Sequence, residues 1–197
     1  MNSALKLLRR RGYRRVRVED VAEDAGVCKA TVYHYFANKD DLLTRSVAHR
    51  MAERTADIER QLASAGGSAA HRLRLFLHDF WTMSLTTQSG LWQRLIVGEM
   101  SKEAPDVFAA WARGLVQRWR LVEALIEEGQ KNGEFRRSAD PTVTARMILS
   151  ALTHQALFHV HLNLRRFAPC DVDRLFDSSM DQLLHGLRAP ASRTKRR

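Results

Sequence analysis

The residues from Cys28 to Lys39 are the first in this 197-residue chain whose types and spacing suggest a chemistry. Cys28 to Tyr35 reads as a short helix with two faces, and Val32 and Phe36, four apart, turn inward together. Lys29, Ala30, Tyr33 and His34 fall on the opposite side, with Thr31 near enough to join them. That face offers a cation, a small residue that permits close approach, and two flat polar rings. The Thr31 hydroxyl suits phosphate or a base edge, and its methyl suits thymine, so the set as a whole suits a DNA groove.

The charge around this helix points the same way. Arg9, Arg10, Arg11, Arg14, Arg15 and Arg17 form a dense basic cluster beside it. The chain holds 32 Lys and Arg against 22 Asp and Glu, a net charge of +10. Such an excess favours a polyanion, either nucleic acid or an acidic membrane surface, and its position beside the short helix favours nucleic acid. Each phosphate neutralised releases counterions, so binding is expected to weaken steeply with salt.

Other chemistries find less support. There is no glycine-rich phosphate loop and no nucleophile elbow. His154, His159 and His161 lack the i, i+4 spacing that brings two imidazoles to one metal, and the two cysteines, Cys28 and Cys170, form neither a disulfide framework nor a zinc pattern. The N-terminus has no long apolar stretch, and no apolar run is long enough for a bilayer. The expectation is therefore a cytoplasmic protein that is not an enzyme and needs no cofactor or metal. The alternative is a helical small-molecule-binding protein or an enzyme using an aromatic cavity.

The elements that position the short helix follow from periodicity. Ser3 to Arg11 is a helix with Ala4, Leu5, Leu7 and Leu8 on one side, stopped by Gly12. Val18, Val21, Ala22 and Ala25 trace the stripe of a supporting helix, and Gly26-Val27 is the sharp turn after it, with Ala25 small enough for close helix approach. Two helices joined by a tight glycine turn make a helix-turn-helix. Asn38 caps a longer helix whose stripe runs from Leu42 to Leu62. Further helices are expected from His71 to Thr86, Ser89 to Ser101, Pro105 to near Asn132, Pro141 to Leu164, and Asp171 to Leu187. No segment alternates like a strand, so the fold class is all-α with eight or nine helices.

The stretch from Val21 to Leu43 resembles the DNA-binding signature of the TetR/AcrR family of transcriptional regulators. The matching features are Val21-Ala22, Gly26-Val27, Tyr33 with Phe36, Lys39 and Leu42, and Ala4-Leu5 through Gly12-Tyr13 is similar to the family's first helix. The resemblance implies that Tyr33 and Lys39 contact phosphates and that Tyr35 contacts the backbone. It places Lys29, Ala30, Thr31 and His34 at positions that read base edges. There are three departures. Cys28 stands where the family usually has Ser, Arg17 occupies a region that often supplies a Thr hydroxyl, and the chain opens almost inside its first helix. Arg17 would exchange a hydroxyl–phosphate contact for a charge-assisted one.

The resemblance also implies a homodimeric repressor released from its double-stranded operator by a small-molecule effector. Residues 1–45 would form the DNA-binding domain, 46–187 a sensing and dimerisation domain, and 188–197 a disordered basic tail. Candidate pocket residues are Phe76, Phe80, Trp81, Trp92, Leu95, Glu99, Trp111, His154 and Phe158. Candidate dimer residues, on the last two long helices, are Met147, Leu152, Phe158, Leu175, Phe176 and Leu183.

Overall fold

The computed structural model describes residues 1–86, 89–90, 92 and 95–189, with the backbone alone at 97 and 165. Among them the chain is helical and has no strand. The α-helices are α1 (Asn2–Arg11), α2 (Val18–Asp24), α3 (Lys29–Tyr35), α4 (Lys39–Ser64), α5 (Ala69–Ser84), α6 (Ser101–Glu103), α7 (Pro105–Lys131), α8 (Pro141–Gln155) and α9 (Val172–Leu187). The chain forms two compact units. The first is Met1–Glu59 with Thr86–Gln117, and the second is Arg60–Leu85 with Arg118–Arg197. The packing extends beyond the boundary expected at residue 45, because residues 95–110 share the first unit's core. Leu95, Ile96, Met100, Ala104, Val107 and Ala110 join Ala4, Leu5, Leu8, Val21, Val32 and Leu43 there.

Within the first unit, most helix ends fall where the sequence placed them. Gly12 ends α1 at φ +78°, a left-handed conformation that glycine adopts without a Cβ penalty. Gly26 does the same between α2 and α3 at φ +67°, with its N–H on Glu23 O and the Val27 N–H on Ala22 O. Ala25 departs from the expected stripe, since it is exposed rather than packed between the helices. The side chain of Asn38 accepts from the Asp41 N–H at 2.9 Å, and Asp41 accepts in return from the Ala37 N–H at 3.0 Å. Of the expected helix from Ser89 to Ser101, residues 91, 93 and 94 lie outside the described residues. Ile96–Met100 is a π-helical turn that runs into α6.

In the second unit α5 packs on α8, α9 and the turn after α8. Phe76, Leu77, Phe80 and Trp81 of α5 are buried together with Leu149, Leu152 and Phe176. The single helix expected from Pro141 to Leu164 is interrupted. After Gln155 the chain widens into a π-helical turn, Ala156–His161, and Asn163 adopts a left-handed φ of 55°. A ring nitrogen of His161 lies 2.8 Å from Ser84 O, an anchor that no helical periodicity predicts. Residues 188 and 189, which the sequence places in the tail, are paired within the second unit. The Ala189 N–H donates to Glu134 O at 3.0 Å, and Phe135 pairs with Arg188. Residues 190–197 lie outside the described residues.

The start of α5 is capped from a distance. Ser68 Oγ accepts from the His71 N–H, while the two carboxylate oxygens of Glu134 accept from the Ala69 and Ala70 N–H groups, each at 3.0 Å. Burial alone would raise this carboxyl's pKa. The Ala70 and Ala69 amides, the Ser68 hydroxyl and the Arg72 charge outweigh burial and hold it below the usual range. A depressed folded-state pKa stabilises above the unfolded carboxyl's value, and that stability is lost as pH falls through the folded value. Glu134→Ala is therefore expected to cost about 1–2 kcal/mol near neutrality. The difference should shrink towards zero in acid, as measured by urea unfolding at both pH values.

Candidate nucleic-acid interface

α3 presents an outer face whose polar groups are open to solvent. Val32 is 7% exposed and faces the core, whereas Tyr33 is 45% and Tyr35 is 63% exposed. Lys29, Ala30, Thr31 and His34 are also exposed. Lys29 pairs with Glu19 of α2, and its ammonium stands 5.5 Å from the centre of the Tyr33 ring. Both charged partners are about half exposed, so this pair contributes little stability and leaves the ammonium available to an incoming anion. The His34 and Tyr35 rings meet edge to face at 5.0 Å between centroids.

Cys28 is the N-cap residue of α3, but its side chain makes no capping hydrogen bond. Its sulfur lies 3.0 Å from Thr31 Oγ1. That hydroxyl first, then the Thr31 and Ala30 amides, hold the thiol below its usual range. Arg17 is the exposed N-cap residue of α2, again without a side-chain cap.

Lys39 opens α4 and is half-buried rather than free. Its ammonium donates to Tyr13 O at 3.2 Å and lies 4.1 Å over the Tyr13 ring. Arg45, nearly two turns further along α4, donates to Tyr35 O at 2.7 Å and covers the Phe36 ring at 4.8 Å. It thereby ties the end of α3 to α4. Tyr13 and Arg45 were not singled out by the sequence, since their roles depend on backbone carbonyls that side-chain spacing does not reveal.

The nine residues expected to line one pocket belong to both units. Trp92, Leu95, Glu99 and Trp111 are in the first unit, where Leu95 is core and Trp92 and Trp111 pack against that core. Glu99, expected as a polar anchor for a ligand, accepts on Oε2 from the Tyr13 N–H at 3.0 Å. Phe76, Phe80, Trp81, His154 and Phe158 are in the second unit. There Phe76 stacks with Phe80, Trp81 stacks with Phe176, and exposed His154 stacks on Phe158 at 4.2 Å.

The expected dimer residues also separate. Met147 is 67% exposed, and Leu175, Leu183 and half-buried Phe158 retain accessible surface. Leu152 and Phe176 are 3% and 4% exposed in the single chain. Both are buried within the single chain, Phe176 against Trp81 of α5, so in this fold they present little surface to a second copy. Val143, 52% exposed and four residues before Met147, lies on the free face that periodicity alone did not distinguish.

Comparison with known proteins adds an independent line. Residues 1–45 match the family model for bacterial regulatory proteins of the tetR family, and residues 66–157 match that for tetracyclin repressor-like C-terminal domains. The transcriptional regulator AcuR of Cereibacter sphaeroides is 30% identical over 151 residues, covering 74% of this chain and 67% of AcuR. The fatty acid metabolism regulator protein of Bacillus subtilis is 21% identical over 194 residues, covering 95% of this chain and 93% of that protein. Among solved structures, reduced E. coli NemR superposes with a TM-score of 0.78 at 18% identity, covering 96% of each chain. B. subtilis FadR in complex with stearoyl-CoA superposes with a TM-score of 0.73 at 20% identity, covering 95% of this chain and 97% of that one.

Proposed function

The chain belongs to the TetR family of bacterial transcriptional regulators, and from that premise we propose that it acts in the cytoplasm as a homodimeric repressor released from its operator by a small-molecule effector. The observation that carries the reading is the α3 surface. Lys29, Ala30, Thr31, Tyr33 and His34 are all exposed on a helix whose apolar face is packed, immediately after the Gly26 turn. Tyr33 and Lys39 then bind phosphates, with Arg17 and Tyr35 beside them, while Lys29, Ala30, Thr31 and His34 face base edges. The reading needs no reaction, so the protein is a regulator rather than an enzyme. The test is a mobility-shift assay with DNA from upstream of its own gene, repeated over a salt series. Site-selective binding that persists as salt rises supports regulation. Sequence-independent binding that vanishes with modest salt would reduce the basic surface to plain polyanion attraction.

One helix-turn-helix reads few bases, and a two-fold dimer places two readers in successive major grooves. The free face of α8, with Val143 and Met147, supports pairing of α8 and α9 with the same helices of a second copy. Met147→Glu is expected to convert the dimer to monomer in sedimentation velocity, and Met147→Leu to leave it dimeric. A Met147→Glu protein that remains dimeric would move the interface elsewhere.

The effector reading draws support from the second unit's interior. The Trp81 indole N–H is buried without an acceptor, and His159 Nδ1 is likewise buried and unpartnered. A buried donor left unmatched is costly, and a ligand carrying an oxygen acceptor would relieve it. Phe176, stacked on Trp81, and the stacked rings of Phe76 and Phe80 in the same unit suit the apolar part of such a molecule.

A further inference from the structure

The three-residue turn after α1 is held from two directions within the first unit. From one side, Glu99 Oε2 accepts from the Tyr13 N–H at 3.0 Å, and Glu103 takes Arg14 in a two-pronged ion pair, 2.7 Å from Nε and 2.6 Å from a terminal nitrogen. From the other side the first turn of α4 grips the same residue. The Tyr13 hydroxyl donates to Asp40 Oδ1 at 2.6 Å, and Tyr13 O receives the Lys39 ammonium. Tyr13 thus has its N–H, its C=O, its ring and its hydroxyl all engaged. Burial first, then Asp40, pushes its phenol pKa up to about 12, so the hydroxyl stays a donor across the physiological range.

Glu99 itself is firmly based. It sits on the π-helical turn whose Ile96 and Met100 are 2% and 0% exposed in the core shared with α1. Its carboxylate lies close to Gly12, where a Cβ would meet Oε2 at 3.0 Å and press on it, while the φ of +78° is what favours glycine there. On the far side of Tyr13, the Lys39 ammonium has three donors and the Tyr13 carbonyl uses one. Two remain for a phosphate, on a side chain whose rotamer freedom the Tyr13 ring and carbonyl have already reduced.

We infer that Glu99 and Glu103 are positioning residues for DNA binding, which act by fixing the Gly12-Tyr13-Arg14 turn and thereby the ammonium of Lys39 at the start of α4. The inference rests on the reading of Lys39 as a phosphate ligand. It makes the DNA reader depend on residues more than eighty positions downstream of the turn they hold. Movement of the 96–103 segment would loosen a phosphate contact without disturbing α3.

The test uses the full chain and a mixed-sequence DNA duplex, with binding followed by fluorescence anisotropy over a salt series. Glu99→Ala is expected to weaken binding about tenfold and to lower the salt slope by about one per subunit, the signature of one lost phosphate contact. Glu99→Gln, whose amide oxygen still accepts from Tyr13, is expected to bind like wild type. In a Lys39→Ala background, Glu99→Ala should add nothing, because the contact it serves is already gone. A loss of equal size in both backgrounds, or an unchanged slope, would overturn the inference. If Lys39→Ala alone leaves the slope untouched, the phosphate reading of Lys39 fails and the inference falls with it. Should Glu99→Ala not fold, Glu103→Ala gives the same readout, since its partner Arg14 is 77% exposed and the pair adds little to stability.

Discussion

Tyr33→Ala is expected to abolish operator binding at concentrations where the wild-type protein is saturated, while leaving the fold intact. In the proposed complex the Tyr33 hydroxyl donates to a phosphate oxygen, and hydrogen bonds to charged groups contribute roughly 1.5–3 kcal/mol. At about 2 kcal/mol per half-site, loss from one reader costs about 30-fold and loss from both readers of a dimer about a thousandfold. The side chain is 45% exposed, and its recorded ring contact is a 5.5 Å approach by the Lys29 ammonium. Truncation at such a surface position changes stability by about 0.5 kcal/mol or less. Tyr33→Phe separates ring from hydroxyl, and if the bond to phosphate dominates it should lose nearly as much as Ala. Anisotropy titrations with operator DNA, paired with thermal melts, check both halves. Undiminished affinity in Tyr33→Ala would remove α3 as the reader.

The second large effect concerns folding and reverses a simple propensity argument. Gly129 lies within α7, where Ala would ordinarily be better by about 1 kcal/mol. The chain leaves that helix after Lys131 and folds back so that the Phe135 ring, only 2% exposed, packs against Gly129. A methyl at residue 129 would meet Phe135 Cδ2 at 2.2 Å and Cε2 at 2.5 Å. The ring has little room to retreat. The Phe135 N–H is bonded to Gly129 O, and the next N–H, that of Arg136, is bonded to Leu187 O at 2.8 Å. Overpacking a pinned site costs about 1–3 kcal/mol or more, so the clash outweighs the gain in propensity. Gly129→Ala is expected to lower the melting temperature by roughly 4–8 °C, and adding Phe135→Ala should make the Gly129→Ala change neutral or favourable. A Gly129→Ala protein as stable as wild type would show that the strap from Gly133 to Phe135 yields easily.

Helix type and order were legible from local pattern. Gly12, Gly26, Asn38, Pro105, Asp140-Pro141 and Asp171 mark ends that the structure keeps, because caps and left-handed turns depend on residues within a few positions of each other. The outward set on α3 was legible for the same reason, since helical geometry fixes which side chains share a face. The errors share a cause too. Leu152 and Phe176 had the apolar character expected of an interface, yet burial against α5 gave them to the core and left Met147 and Val143 outside. Glu99 had the polarity of a ligand anchor, but its bond to the Tyr13 N–H was not visible in local pattern.

Sequence by itself thus determined an all-helical regulator with a solvent-facing polar surface on α3, because periodicity, capping and charge act over one or two turns. Tertiary structure alone decided that residues 95–110 complete the core around α1, that Glu134 caps α5, and that Tyr13 joins Glu99 to Lys39. Those contacts link positions tens of residues apart, and the chain's local preferences are the same whether or not such partners meet. Only packing, which excludes water and leaves each buried amide and charge to find a partner, selects among them.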